Sequence, residues 1–184
     1  MIKNGGAMMR GRIKRLVALC SVCILAGSVH VHAQQVRTYT NKNLHFKLQY
    51  PADFQVKTIN GAIILSSPLK SQKDTFAESV NIVTLGADRG VNNLKDFYGQ
   101  ARKSMQETML KVKIIEDKKI TLGGKEAYLL VYTSLRKKTT FKFMQVMTMN
   151  DRLVYVVTYT ALPETYEEYL RPVKAMLNSF AFVK

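Results

Sequence analysis

Beyond residue 33 the sequence holds no cysteine and a single histidine, His45, because Cys20, Cys23, His30 and His32 all fall earlier. A thiol nucleophile, a disulfide and a thiolate-bound metal are therefore excluded from residues 34–184. A transition-metal site needs clustered nitrogen or sulfur ligands. One histidine among scattered carboxylates gives no metal site and no cofactor to assign, and His45 is expected exposed on the polar side of an early strand. Acidic residues are also few, 13 against 28 Lys plus Arg, for a net charge of +15. The one long apolar run, 16–29, is short of the roughly 20 residues that a membrane span requires.

That run follows Lys3, Arg10, Arg12, Lys14 and Arg15, and Val31-His32-Ala33 follows it. A basic segment, a short apolar core and a small-residue cleavage site make an export signal. We read 1–33 as a signal peptide, cleaved rather than retained as an anchor, and 34–184 as one periplasmic or secreted domain. Lipid attachment at Cys20 is disfavoured because Leu19 stands where a small residue is wanted. The signal carries no acidic residue, so an excess of ten positive charges stays with the domain. That balance suits acidic partners and a basic, soluble surface. For an exported domain no nucleic acid partner is expected.

Patterns that suggest catalysis have simpler explanations. Ser67-Pro68-Leu69-Lys70 and Ser134-Leu135-Arg136-Lys137 share the Ser-x-x-Lys spacing of penicillin-recognising enzymes, which places lysine one helical turn from serine. Here one lies in a loop and the other in a hairpin turn. Gly123-Gly124-Lys125 lacks the remaining residues of a phosphate loop and reads as a tight turn. Glu164, Glu167 and Glu168 suit the positive end of a helix. Glu116-Asp117 beside Lys118-Lys119 reads as a solvated turn.

What is present is strand periodicity. Residues 36–40 and 44–50 form an expected hairpin around Asn41-Lys42-Asn43, with Leu44, Phe46, Leu48 and Tyr50 on the apolar side and Pro51 ending it. Asn60-Gly61 turns a second hairpin, and 79–85 is a further strand. A helix over 93–109 carries Leu94, Phe97, Tyr98, Ala101, Met105 and Thr108 on one side. Gly99 inside it suggests close packing. Residues 112–122 mix apolar and charged positions, as in a strand with a bend or bulge. Three long strands then follow with very short turns, which makes them antiparallel. In the last, Leu153 to Thr160, both faces are apolar or β-branched, the mark of a central strand covered on both sides. A helix over 163–178 has the stripe Tyr166, Tyr169, Leu170, Val173, Met176 and Leu177, with Pro172 expected to kink or split it. A short strand over 180–183 ends the chain. The class is α+β, an antiparallel sheet flanked by helices in a three-layer α/β/α sandwich.

Several short motifs resemble PsbP-like proteins. Phe46-Lys47-Leu48-Gln49-Tyr50-Pro51-Ala52-Asp53-Phe54 is similar to their opening strand, with Phe54 where a tryptophan is common. Glu78-Ser79-Val80-Asn81-Ile82 resembles the next strand, and Asp96-Phe97-Tyr98 the start of the first helix. Gly123-Gly124-Lys125-Glu126-Ala127 resembles the glycine turn. Tyr155-Val156-Val157-Thr158-Tyr159-Thr160-Ala161 and Leu177-Asn178-Ser179-Phe180-Ala181-Phe182 resemble the closing strand and the Ser-Phe ending. The resemblance implies an antiparallel sheet flanked by helices, a fold shared with a Ran-binding nuclear import factor, and a non-catalytic accessory or binding role. Photosynthetic members are extrinsic subunits supporting the manganese–calcium site of photosystem II. None of their metal-binding residues is matched here, so no cofactor is implied.

The reading is an exported, monomeric, non-enzymatic domain. Its partner is an unknown envelope protein or anionic surface, with peripheral membrane contact. The alternatives are an envelope hydrolase, or a small-ligand carrier whose Met and Tyr residues line a cavity. The candidate binding patch is Lys111, Lys113, Lys118, Lys119, Arg136, Lys137 and Lys138, brought together if neighbouring strands pair as expected.

Overall fold

The computed structural model describes residues 35–86 and 93–184. The export segment 1–33 and most of the expected 86–90 loop lie outside them. Ten strands and two helices follow in order: β1 (Val36–Asn41), β2 (Phe46–Pro51), β3 (Gln55–Ile59), β4 (Ala62–Ser66), β5 (Ser79–Gly86), α1 (Leu94–Thr108), β6 (Leu110–Leu122), β7 (Lys125–Arg136), β8 (Thr139–Asn150), β9 (Leu153–Ala161), α2 (Tyr166–Ser179) and β10 (Ala181–Phe182). Where one sheet was expected there are two, both antiparallel. The larger runs β3-β4-β5-β9-β8-β7-β6 and the smaller β1-β2-β10. After β2 the chain turns at Ala52-Asp53, where Phe54 N–H donates to the Pro51 carbonyl at 3.0 Å. The β1–β2 hairpin is thereby uncoupled from the large sheet, and its free side is taken by β10.

Strand β9 is the fourth of seven, so the two-faced strand does sit at the centre. Tyr155, Val157 and Tyr159 enter one core with Leu129, Val131, Met144 and Val146 of the neighbouring strands and Tyr166, Val173 and Met176 of α2. The alternate residues Tyr128, Leu130, Tyr132, Phe143 and Met147 form a second core with Leu94, Tyr98 and Met105 of α1. Side chains alternate across a strand, so one stretch such as 127–132 feeds both cores and is buried throughout.

The mixed pattern of β6 has a specific cause. Its register against β7 shifts twice, between Leu110 and Lys113 and between Ile114 and Glu116. Each extra residue reverses the side-chain parity. Val112 and Ile114 therefore pack with the α1 core, whereas Ile120 and Leu122 pack with the α2 core. Ile115, the inserted residue, is left exposed.

Helix α1 begins where expected, with the Asn93 side chain accepting from Asp96 N–H at 2.9 Å. Gly99 packs against nothing: a Cβ added there meets no atom within 4 Å. The close-packing expectation fails because Gly99 lies on the exposed face. Gly99→Ala should therefore stabilise the protein by about 0.5–1 kcal/mol, since alanine restricts the unfolded chain at no steric cost. Urea denaturation would read this as a raised midpoint with unchanged slope. Helix α2 starts three residues later than expected and runs unbroken through Pro172. The carbonyl that proline leaves without an intrahelical partner belongs to Glu168, an exposed residue whose backbone water can serve.

Many core tyrosines depend on staying neutral. Burial holds the phenols of Tyr98, Tyr132, Tyr155, Tyr159 and Tyr169 above their ordinary value, and pushes Tyr166 up to about 12. A group whose pKa is raised by folding contributes its full stability below its unfolded value, here about 10, and loses it as pH rises towards the folded value. Stability to urea should therefore fall steeply between about pH 10 and pH 12. A flat profile across that window would contradict the burial of these rings.

Candidate binding surface

The seven cations picked out by sequence fall into two sets. Leu110 pairs with Leu135, Lys113 with Thr133 and Arg136 with Thr139. Lys111 and Lys113 therefore stand at the same end of the sheet as Arg136 and the two-residue turn Lys137-Lys138. Lys118 and Lys119 pair with Leu129 and Tyr128, further along. At about 3.4 Å per residue, the four residues from Thr133 to Leu129 separate the nearest members of the two sets by roughly 14 Å.

Electrostatics divides them in the same way. The Lys118 ammonium lies 2.6 Å from a Glu116 carboxylate oxygen, and that of Lys119 lies 3.0 Å from Glu126. Both lysines are spoken for, and the carboxylate of Glu126 raises the Lys119 pKa by accepting its hydrogen bond. Among the described residues, Lys111, Lys113, Arg136, Lys137 and Lys138 take part in no ion pair, and all five are exposed. Arg136 is steadied instead by an aromatic face, its guanidinium 5.1 Å from the centre of the Phe143 ring. Phe143 is itself stacked on Tyr132.

Two of the five hold costly backbone. Lys111 has φ 51° at the first bulge of β6, and Lys137 has φ 56° at the hairpin tip. The left-handed region costs a side-chain-bearing residue about 1–2 kcal/mol and suits glycine or asparagine. Beside them Leu110 is 63% exposed, and its carbonyl is fastened by the Ser134 hydroxyl, which donates at 2.9 Å. The end of the sheet thus presents unpaired cations around an unburied leucine. The lysines and bulges of β6 also shield a long edge strand from pairing with other chains.

The remaining sequence candidates are occupied structurally. Ser67 is buried, and its hydroxyl donates to Glu78 at 3.2 Å. Ser134 is buried on Leu110. Lys70 pairs with Glu168, and Lys142 with Glu167 at 3.0 Å, so two of the three helix-end carboxylates are neutralised; Glu164 lies ahead of the helix. Gly123 and Gly124 form the expected turn, both with positive φ. His45 lies in the β1–β2 turn with φ 52° rather than in the strand, and is exposed. No group of three potential metal-binding side chains occurs among the described residues, and no helix there is long and apolar enough to cross a membrane. Sequence reasoning did not find Leu110. Its signal, an apolar residue directly before an alternating Lys-Val-Lys, reads equally well as core.

The family model described as PsbP-like protein matches residues 26–182. No curated protein sequence matches. Among solved structures the chain is similar to cyanobacterial PsbP from Synechocystis, at 11% identity and a TM-score of 0.61, covering 86% of this chain and 98% of that one. It is similar to a protein of unknown function from Pseudomonas aeruginosa titled a putative regulator, at 18% identity and a TM-score of 0.56, covering 76% and 92%. LpqN of Mycobacterium tuberculosis, described as involved in cell envelope biogenesis, matches at 12% identity and a TM-score of 0.58, covering 83% and 88%.

Proposed function

The chain belongs to the PsbP-like family, and from that premise we propose that it is an exported, non-catalytic binding domain that docks on an anionic membrane surface. The scaffold in this reading is a three-layer α/β/α sandwich, with α1 and α2 outside the larger sheet. The two separate cores, each containing one helix, support that layering. The docking end is Lys111, Lys113, Arg136, Lys137 and Lys138 around Leu110.

The observation that carries the reading is the contrast in pairing. Lysines with a nearby carboxylate are neutralised, while five cations at one end have no anion in the described structure. Anionic headgroups would supply the missing charge, at about 1 kcal/mol for each cation brought close. Leu110 adds apolar surface that can enter the headgroup layer. An envelope setting is in keeping with what is said of the M. tuberculosis relative.

Sedimentation with vesicles of phosphatidylglycerol mixed into phosphatidylcholine, compared with phosphatidylcholine alone, tests the reading. Binding should require the anionic lipid and weaken as salt rises. Equal binding to both, or binding indifferent to salt, would refute it. Retention by an acidic protein with none by vesicles would move the same surface to a protein partner.

A further inference from the structure

Where α2 ends, the larger sheet extends past it, and a cleft of about 530 Å³ opens between the helix and β6. Its floor is apolar, built from Leu122, Leu129, Met144, Leu177 and Phe180. All but Leu177 are buried core residues. The Gly123-Gly124 turn closes one side and is held tightly there: a Cβ on Gly123 would stand 3.0 Å from the Phe182 ring and 3.2 Å from that of Phe180. The wall is therefore fixed by packing and not by a movable loop.

The mouth differs from the floor. Lys118 lines it from β6 and Lys174 from α2, with Thr121 and Asn178 supplying further polar groups, and no carboxylate lines it. Lys118 is shared with Glu116. Lys174 takes part in no ion pair among the described residues. An apolar floor under a cationic, hydrogen-bonding rim has the general form of a small-molecule site, and the volume falls within the usual range of about 300–1,000 Å³. It differs from the Met- and Tyr-lined cavity that composition offered only as an alternative. Met144 is its one methionine and no tyrosine lines it, because the tyrosines are spent on stacking, as in Tyr98 on Tyr128 and Tyr132 on Phe143.

We propose that this cleft binds a single-chain amphiphile with an anionic head, the chain lying on Leu129, Met144 and Phe180 and the head at Lys174. A neutral polar ligand would leave the floor unused. A fully apolar one would leave Lys174 and Asn178 unanswered. The site lies on the α2 side of the sheet, apart from the hairpin tip at Lys137-Lys138, and does not depend on membrane docking.

Titration calorimetry with dodecanoate below its micelle concentration tests the proposal, with dodecyl maltoside as the neutral-headed control. The full exported chain should bind dodecanoate saturably, one per chain, and tighter than the maltoside. Lys174→Glu, at an exposed helix position, should weaken dodecanoate at least tenfold and leave the maltoside unchanged. Leu177→Trp, which fills the cleft from its partly buried edge, should weaken both. Lysophosphatidylglycerol in place of dodecanoate shows whether the head is a carboxylate or a phosphodiester; binding of either supports the site. Charge reversal at Arg136, Lys137 and Lys138 should leave dodecanoate affinity unaltered, which separates this site from the docking surface. Non-saturable binding, or equal affinity for Lys174→Glu and the parent, would overturn the proposal.

Discussion

Reversing Arg136, Lys137 and Lys138 together to glutamate should lower partition onto phosphatidylglycerol vesicles by at least about 100-fold at low salt. Each cation near an anionic surface contributes about 1 kcal/mol. Three reversals remove three attractions and add three repulsions, on the order of 3–6 kcal/mol, and 1.4 kcal/mol is tenfold. The loss should shrink as salt is raised, because the Debye length falls from about 30 Å at 0.01 M to about 10 Å at 0.1 M. Folding should be nearly untouched. The three side chains are exposed and, among the described residues, in no ion pair, and the contact of Arg136 with Phe143 contributes about 0.5–1 kcal/mol at such a site. Reversing Lys118 and Lys119 instead sets each against its own glutamate. That should alter partition less, because those two positions lie further along the strand from the docking end.

A second variant separates binding from scaffold at the same place. Lys137→Gly relieves a left-handed backbone, so it should stabilise the hairpin while weakening vesicle binding. Loss of binding with a gain in stability cannot be explained by misfolding. Unchanged binding in both variants would remove the hairpin tip from the docking surface.

The largest stability effect is expected at Tyr155, and it explains how the two sheets hold together. Tyr155 is fully buried on the central strand. Its ring meets Phe46 of β2 edge-on at 6.1 Å, Phe180 at 6.1 Å and Phe182 of β10 at 5.2 Å. Its hydroxyl donates to the Leu44 carbonyl at 3.0 Å, in the β1–β2 turn. One side chain thus joins the middle of the large sheet to β2, the turn before it and β10, which belong to the small one. Truncation to alanine removes an aromatic ring from a packed core, at a cost of about 3–5 kcal/mol. At about 2–4 °C per kcal/mol for a domain of this size, the melting temperature should fall by roughly 6–20 °C. Tyr155→Phe keeps the ring contacts and loses only the donor to Leu44, a cost nearer 1 kcal/mol. If alanine and phenylalanine cost the same, the ring contacts are not what couples the sheets. Hydrogen exchange should show the β1–β2–β10 amides losing protection before those of β7 and β8 in the alanine variant.

The sequence reading and the structure diverge where pairing matters. The central place of β9, the stripe of α2 and the turns at Asn60-Gly61 and Gly123-Gly124 were legible because each is a local pattern: alternation, helical spacing, or residues tolerant of positive φ. The bulge in β6 was legible as an irregularity, but its consequence was not. Which core Ile114 and Ile120 enter depends on the register against β7, and no single strand specifies its own register. The split into two sheets escaped for the same reason. The Phe46-Lys47-Leu48 alternation says which side chains point inward; it does not say which strand lies beside them. Gly99 shows the reverse case, a residue read as packed because it is small, and found facing solvent.

By itself, the sequence determined that residues 34–184 lack thiol chemistry, carry a large positive excess and have the periodicity of an antiparallel α+β fold. These are properties of composition and of near neighbours along the chain, which local sterics and alternation fix. The tertiary structure alone decided which cations are neutralised. Lys119 and Lys137 look alike in sequence, each beside another lysine. Strand pairing set Glu126 within reach of the first, while among the described residues the second takes part in no ion pair. An ion pair needs its two groups within a few ångströms, so which of these cations are paired was decided by register and turn geometry and not by the order of residues.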